Sequence, residues 1–186
     1  MPVLLQPGSD LTAALRTVDV DTVVADPENA AAALPVTPNV LVLGGGDARR
    51  LDIPVGYEVT DLEAIDPDSV RLPQWYDPDP GLARELAMIL FTATDRGPEP
   101  RFITNHRWAL SAFGTATTAA LGPGDTVYCL APLHHSAGVL VTIGGALAGG
   151  SRIALSRGLD PERFSEEVYR YGVTVVSYTW TMMRQI

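Results

Sequence analysis

Apolar and polar positions alternate along this chain in short runs. Val3-Leu4-Leu5 reads as a strand, and Ser9 or Asp10 then caps a helix with Leu11, Ala14, Leu15 and Val18 on one face. Thr22-Val23-Val24-Ala25 is a β-branched strand. Asp26-Pro27-Glu28 opens a second helix, with Pro27 where a missing N–H costs nothing, and the alanine run ends at Pro35. Val40 to Leu43 is a third strand, closed by Gly44-Gly45-Gly46. This order predicts a βαβαβ unit with parallel strands and right-handed crossovers. Residues 66–81 hold Pro67, Pro73, Pro78 and Pro80 among Asp66, Asp68, Asp77 and Asp79, the composition of a surface loop or linker. A sub-boundary within a single domain is expected there.

Beyond it, Leu86 to Thr92 is a strongly apolar strand, and a polar loop from Ala93 to Pro100 leads into Arg101-Phe102-Ile103-Thr104. Asn105 is expected to cap a helix reaching about Leu121. Thr126 to Ala131 reads as a strand, Pro132 to His135 as a loop, and a small-residue helix follows to Gly149-Gly150. Ser151 to Leu155 is a strand. A helix opens at Asp160-Pro161, faces inward through Phe164, Val168 and Tyr171, carries a Glu166/Arg170 pair and stops at Gly172. Val173 to Tyr178 is a strand, and Thr179 begins a last helix. Alternation of this kind, with unbroken apolar strands, predicts an α/β fold: a mostly parallel sheet flanked by helices on both faces. The chain stops at Ile186, about two turns into that helix and with no capping residue after it, so a fragment is expected.

Composition narrows the function. The 186 residues carry 13 basic and 22 acidic side chains, a net charge of −9, and every basic residue is arginine. An acidic chain of this kind is not built to neutralise nucleic-acid phosphates. Without lysine, it offers neither a Schiff base nor an ammonium to grip phosphate. A single cysteine, Cys129, excludes a disulfide framework and a CxxC metal site, and its apolar neighbours mark a buried, inert thiol. No histidine pair fits HExxH. The N-terminus lacks a signal-peptide pattern, and the most apolar stretch, Ala137 to Gly150, is about 14 residues, short of a bilayer span. A cytoplasmic protein is expected.

In an open parallel sheet ligands sit at the carboxyl ends of strands, which points to three loops. Gly44 to Asp47 could form an anion nest; with Asp47 beside it and no convincing helix after it, a plain turn is the better reading. Ala93 to Pro100 has the position of a phosphate loop. Pro132 to Gly138 carries His134 and His135, which border a carboxylate substrate, act as a general base, or are solvent-facing or packed histidines.

The run Ile89-Leu90-Phe91-Thr92, then Gly97, then Thr104-Asn105-His106-Arg107, resembles the phosphate-loop region of the adenylate-forming superfamily, which holds acyl-CoA synthetases, luciferases and peptide-synthetase adenylation domains. Thr92, Gly97, His106 and Arg107 fall on family positions. Pro132-Leu133-His134-His135-Ser136-Ala137-Gly138 is similar to the family's Pro-Leu-Phe-His-x-x-Gly motif, and the segments at Pro7 to Leu11, Val23 to Asp26, Gly124 to Tyr128 and Asp160 to Thr174 extend the likeness over nearly the whole chain. The resemblance implies an interior slice of the family's large N-terminal domain, without its start, its adenine- and ribose-contacting motifs or its mobile C-terminal domain. It implies fatty-acid or other carboxylic-acid CoA ligation through an acyl-adenylate, with ATP and magnesium as cofactors and CoA as acceptor. It assigns Thr92, Ala93, Thr94, Asp95, Arg96 and Gly97 to phosphate. His135 and Gly138 then border the acyl group, His134 replaces a gating aromatic, and Tyr178 and Trp180 line the acyl pocket or take an ordinary core role.

The departures matter. Ala93 stands for serine, Thr94 for glycine, Asp95 and Arg96 for hydroxyl residues, and Glu99 and Pro100 for proline and lysine. Thr94 resists the close backbone approach glycine allows, Asp95 sets a negative charge beside phosphate, and Pro100 deletes a charged donor. Losing one charge-assisted and two neutral hydrogen bonds costs on the order of 3–5 kcal/mol; Arg96 restores part as a bidentate cation. The chain alone is therefore expected to be inactive. The alternative is a catalytically inactive α/β module with an assembly or regulatory role, and the edges of a partial sheet predict a homo-oligomer.

Overall fold

A computed structural model describes the chain apart from Pro7, residues 45–49, Pro80, Arg157 and Ile186. The Gly45-Gly46-Asp47 part of the glycine loop lies outside the described residues. The chain forms two compact units, one of Met1–Leu4, Pro80–Thr92 and Arg101–Ile186, the other of Leu5–Asp79 and Ala93–Pro100. The Asp79/Pro80 junction falls inside the Pro/Asp-rich stretch, whose described residues are exposed throughout from Asp66 to Asp79. The architecture is mixed α/β.

In the unit of Leu5–Asp79, α1 (Leu11–Val18) starts at Asp10, whose Oδ1 accepts the Ala13 N–H at 2.9 Å. Helix α2 (Pro27–Ala33) starts at Asp26, which accepts from Asn29 at 2.8 Å. Strands β2 (Thr22–Ala25), β3 (Asn39–Val42) and β4 (Thr60–Asp61) form a parallel sheet in that order. Val40 and Val42 on its buried face meet Ala30, Ala33 and Leu34 of the α2 region. Strand β1 (Val3–Leu4) was expected beside β2 but pairs in parallel with β5 (Leu86–Thr94), Val3 against Ile89 and Leu4 against Leu90. The expected βαβαβ unit is therefore reduced to β2-α2-β3. The draw is apolar: β5 buries four successive residues, Met88 to Phe91, and Leu4 packs against the cluster that holds Met88 and Leu90.

The other unit holds two further three-stranded sheets. One has the order β1-β5-β6, with β6 at Gly97–Thr104. Helix α3 (Asn105–Thr118) follows, and its cap is Thr104 rather than Asn105: the Thr104 hydroxyl accepts the Arg107 N–H at 3.2 Å, while the Asn105 side-chain amide donates to the Leu82 carbonyl at 3.1 Å. The second sheet has β7 (Thr126–Cys129) between β8 (Arg152–Leu155) and β9 (Val175–Ser177), all parallel. From β7 the chain enters a seven-residue π-helical turn, Ala137–Ile143, before α4 (Gly144–Gly149). Gly144 and Gly145 let α4 lie close on Trp108, Ala112 and Thr115 of α3; a Cβ at Gly145 would stand 2.6 Å from the Thr115 side chain. Helix α5 (Pro161–Tyr171) packs Phe164 and Val168 onto Tyr128, Leu130 and Ala154, and ends at Gly172 with φ +59°. Tyr171 does not share that face: it is exposed, beneath the Arg170 guanidinium. The i,i+4 ion pair of α5 among the described residues is Arg163–Glu167 at 3.6 Å, which also places Glu167 to accept the Tyr128 hydroxyl. Helix α6 (Trp180–Met183) is capped by Thr179. No helix of the described residues is long and apolar enough to cross a membrane.

Candidate functional site

The segment expected as an eight-residue polar loop is a tight hairpin. Strand β5 runs on to Thr94, Asp95 and Arg96 make the turn, and β6 begins at Gly97. A connection of two residues joins strands only in antiparallel fashion, so this is the exception in an otherwise parallel architecture. Thr92, Ala93 and Thr94 favour extension more than a loop, and Gly97 supplies the positive φ, +110°, that a residue closing such a turn needs. The Thr94 hydroxyl fastens the turn. It donates to the Gly97 carbonyl at 2.8 Å and accepts the Arg96 N–H at 3.2 Å. Thr92, Ala93, Asp95 and Arg96 are exposed; Thr94 and Gly97 are half-buried.

That arrangement decides what the turn can hold. A triphosphate cradle needs several N–H and O–H donors left over by the protein and aimed at one point. Here the Arg96 amide and the Thr94 proton both serve the turn itself, and Asp95 adds a carboxylate at its tip. As folded, the Thr94 hydroxyl and the Arg96 amide are not left over for a phosphate. Among the described residues no group of three or more His, Cys, Asp or Glu side chains is placed to hold a metal ion. His106 and Arg107 lie exposed in the first turn of α3.

The second set of expected residues shares one sheet edge. Cys129 and Ser177 are register partners at the carboxyl ends of β7 and β9. His134, His135 and Gly138 follow the first, and Tyr178 and Trp180 the second. The histidine turn is closed by backbone bonds, His135 N–H to Pro132 O at 3.0 Å and Gly138 N–H to His135 O at 3.0 Å. The His135 ring accepts the Ala137 N–H through Nδ1 at 3.1 Å, which leaves its ring proton on Nε2. His134 is half-buried, and burial, helped by the neighbouring His135, pushes its pKa below the ordinary histidine value. Gly138 is fully enclosed. A Cβ there would stand 2.3 Å from the Pro132 carbonyl oxygen and 2.9 Å from that of Ala131. Tyr178 and Trp180 are exposed, 50% and 72%, so the core role weighed for them is not the one they take. Cys129 is 1% exposed; burial pushes its thiol up, and its Sγ lies 3.4 Å from the Ala131 carbonyl.

Two residues outside the expected set join these segments. Thr142 Oγ1, 2% exposed, donates to the Ala137 carbonyl at 2.9 Å and lies 2.7 Å from Ser177 Oγ. A hydroxyl has one proton, so with Ala137 taking it, the Ser177 hydroxyl supplies the proton of the second bond. This pair ties the π-helical turn to β9, and with it the histidine turn to the strand that leads into Tyr178. Hydroxyls interrupting two apolar runs, Thr142 in 139–143 and Thr174 and Ser177 in 173–178, are the signal sequence reasoning could have used.

Residues 5–186 match the family described as AMP-binding enzyme, and the chain belongs to that family. It is 30% identical over 107 residues to the medium/long-chain-fatty-acid–CoA ligase FadD6 of Mycobacterium tuberculosis, a match covering 56% of this chain and 18% of that ligase. Its fold is similar to that of Mycobacterium smegmatis MbtA, with a TM-score of 0.69 at 21% identity over 95% of this chain and 33% of that one. It is similar also to the o-succinylbenzoate–CoA synthetase MenE of Bacillus subtilis in complex with an acyl-adenylate, with a TM-score of 0.61 at 16% identity, covering 98% of this chain and 43% of that one. The chain thus spans less than half the length of these relatives.

Proposed function

We propose that this chain is a degenerate member of the ATP-dependent fatty-acid–CoA ligases, the enzymes that activate a carboxylic acid as an acyl-adenylate and pass the acyl group to CoA. Membership of the AMP-binding family and the likeness to a fatty-acid–CoA ligase support the parent chemistry. The observation that carries the degenerate reading is the β5–β6 turn, whose hydroxyl and amide are spent on each other and whose tip is a carboxylate. In this reading Thr92 to Gly97 address phosphate weakly, and the chain alone does not adenylate. The edge built by His134, His135, Gly138, Tyr178 and Trp180 is where a carboxylic acid would rest. The half-buried, neutral His134 disfavours no apolar chain, and the exposed rings of Tyr178 and Trp180 give one a surface to cover.

The test is calorimetry and thermal shift with millimolar Mg-ATP, followed by pyrophosphate release with a panel of fatty acids. Neither a shift nor release above background is expected from this chain. Micromolar ATP binding with acid-dependent pyrophosphate release would overturn the degenerate reading. A shift with fatty acid alone is expected, and its abolition by Trp180→Ala would place the acid at this edge.

A further inference from the structure

The ring of His135 is exposed, yet it is tied down. Its Nδ1 accepts the Ala137 N–H at 3.1 Å, which leaves Nε2–H as a donor. A ring held by a peptide is held only as firmly as that peptide. Ala137 is gripped from its other side, where its carbonyl accepts the Thr142 hydroxyl at 2.9 Å. Thr142 is 2% exposed, and its oxygen accepts the Ser177 hydroxyl at 2.7 Å. The Cys129 thiol, beside Thr142, gives its proton to the Ala131 carbonyl at 3.4 Å and stays out of this series. Bonds therefore run from Ser177 on β9 through Thr142 and Ala137 to the His135 ring. All four residues lie in the unit that holds Arg101–Ile186, so the relay draws on no residue outside it. The turn's register makes the relay possible. In an α-helix a threonine reaches back three or four residues; the π-helical turn Ala137–Ile143 has a five-residue spacing, which brings the Ala137 carbonyl under Thr142. Such turns are rare and recur at functional sites. The two hydroxyls point the same way. Thr142 stands between Val141 and Ile143, and Ser177 follows Val175-Val176. Replacing both partners of such a bond by apolar groups of the same shape is close to neutral, so stability alone does not call for the pair.

We propose that Thr142 and Ser177 are positioning residues, which act through Ala137 to hold His135 as an Nε2–H donor toward the carboxylate of a bound acid. The identity of the ligand rests on the proposed function; the relay that orients the ring does not. An ionised carboxylate only accepts hydrogen bonds, so a ring locked as a donor matches it, and a ring free to present Nδ1–H elsewhere does not.

The relay is read by nuclear magnetic resonance on the full chain labelled with nitrogen-15. The parent should show a scalar coupling across the hydrogen bond from the Ala137 amide nitrogen to His135 Nδ1. Thr142→Ser keeps the hydroxyl and should keep the coupling. Thr142→Val should lose it, and Ser177→Ala should fall between. A merely structural role would lower the melting point of Thr142→Val and leave the coupling as it was. Calorimetry with decanoate gives the second readout: affinity should fall about two- to tenfold in Thr142→Val, the loss of one well-aimed hydrogen bond, and return in Thr142→Ser. No coupling in the parent, a coupling undiminished in a folded Thr142→Val, or an affinity unchanged where the coupling is gone would each overturn the proposal. If Thr142→Val does not fold, a coupling in Ser177→Ala equal to the parent's would overturn it. Decanoate that binds no variant, the parent included, would instead sink the acid site of the proposed function, and the coupling would still decide the relay.

Discussion

Gly138 has no room for a side chain, because two carbonyl oxygens of the preceding turn already occupy the place of a Cβ. Both obstacles are backbone, so relief requires the histidine turn itself to move. Gly138→Ala is expected to cost about 1–3 kcal/mol in urea unfolding, within the range of overpacked interior sites. It should also displace His135, whose amide and carbonyl close that turn. His134 supplies a pH dependence whose sign follows from its surroundings. Burial first, and His135 second, disfavour its charged form in the folded chain, so its folded pKa lies below the ordinary histidine value. Above about pH 6.5 the residue is neutral folded and unfolded and adds nothing to the slope. As pH falls through that value the unfolded chain takes up a proton that the folded chain refuses, and stability is lost until the lower, folded pKa is passed. Urea midpoints should therefore fall between about pH 7 and pH 5 more steeply for the parent than for His134→Gln. Equal slopes would show that the ring is fully hydrated.

Among the elements, the π-helical turn depends most on one side chain. An α-helix satisfies each carbonyl four residues on; here Thr142 reaches back five residues to Ala137 and meets Ser177 as well. Thr142→Val keeps the shape but removes both bonds, and is expected to cost about 1–3 kcal/mol, the range for stranding a buried partner. Ser177→Ala leaves the Ala137 bond intact and should cost less; denaturant unfolding of the two variants checks the order. This element was not legible beforehand. A run of small apolar residues carries no period that separates π from α, and the deciding bond comes from a strand more than thirty residues later. Helix starts were legible because their chemistry is local: Asp10, Asp26, Asp160 and Thr179 each accept an N–H two or three residues on. Asn105 was misassigned because two adjacent residues, Thr104 and Asn105, both suit a cap, and Leu82 claims the amide of the second. The partner of β1 could not be read, since two residues have no period and a distant strand chose them.

At the scale of the whole molecule, family and α/β class were legible because motif residues recur in order along the chain, whereas the internal bonding of the β5–β6 turn was not. Its substitutions were visible, but only folding shows Thr94 spending its hydroxyl on Gly97 and Arg96. That bond suggests how to reverse the change. Replacing Thr94 by glycine frees the Arg96 amide and the Gly97 carbonyl and loosens the hairpin. Asp95→Thr removes the carboxylate from the tip, and Pro100→Lys introduces the first side-chain ammonium in a chain without lysine. The three changes together shift net charge from −9 to −7, since one acid is lost and one base gained. They restore one charge-assisted and two neutral donors, worth on the order of 3–5 kcal/mol if well placed, or roughly a few hundred- to several thousand-fold in affinity. If the turn is what weakens nucleotide binding, as proposed, the triple variant should bind Mg-ATP more tightly than the parent by calorimetry, and the gain should shrink with rising salt as screening weakens the new charge. A triple variant that folds as the parent does, by circular dichroism, yet stays blind to ATP would show that the obstacle to nucleotide lies elsewhere than in this turn.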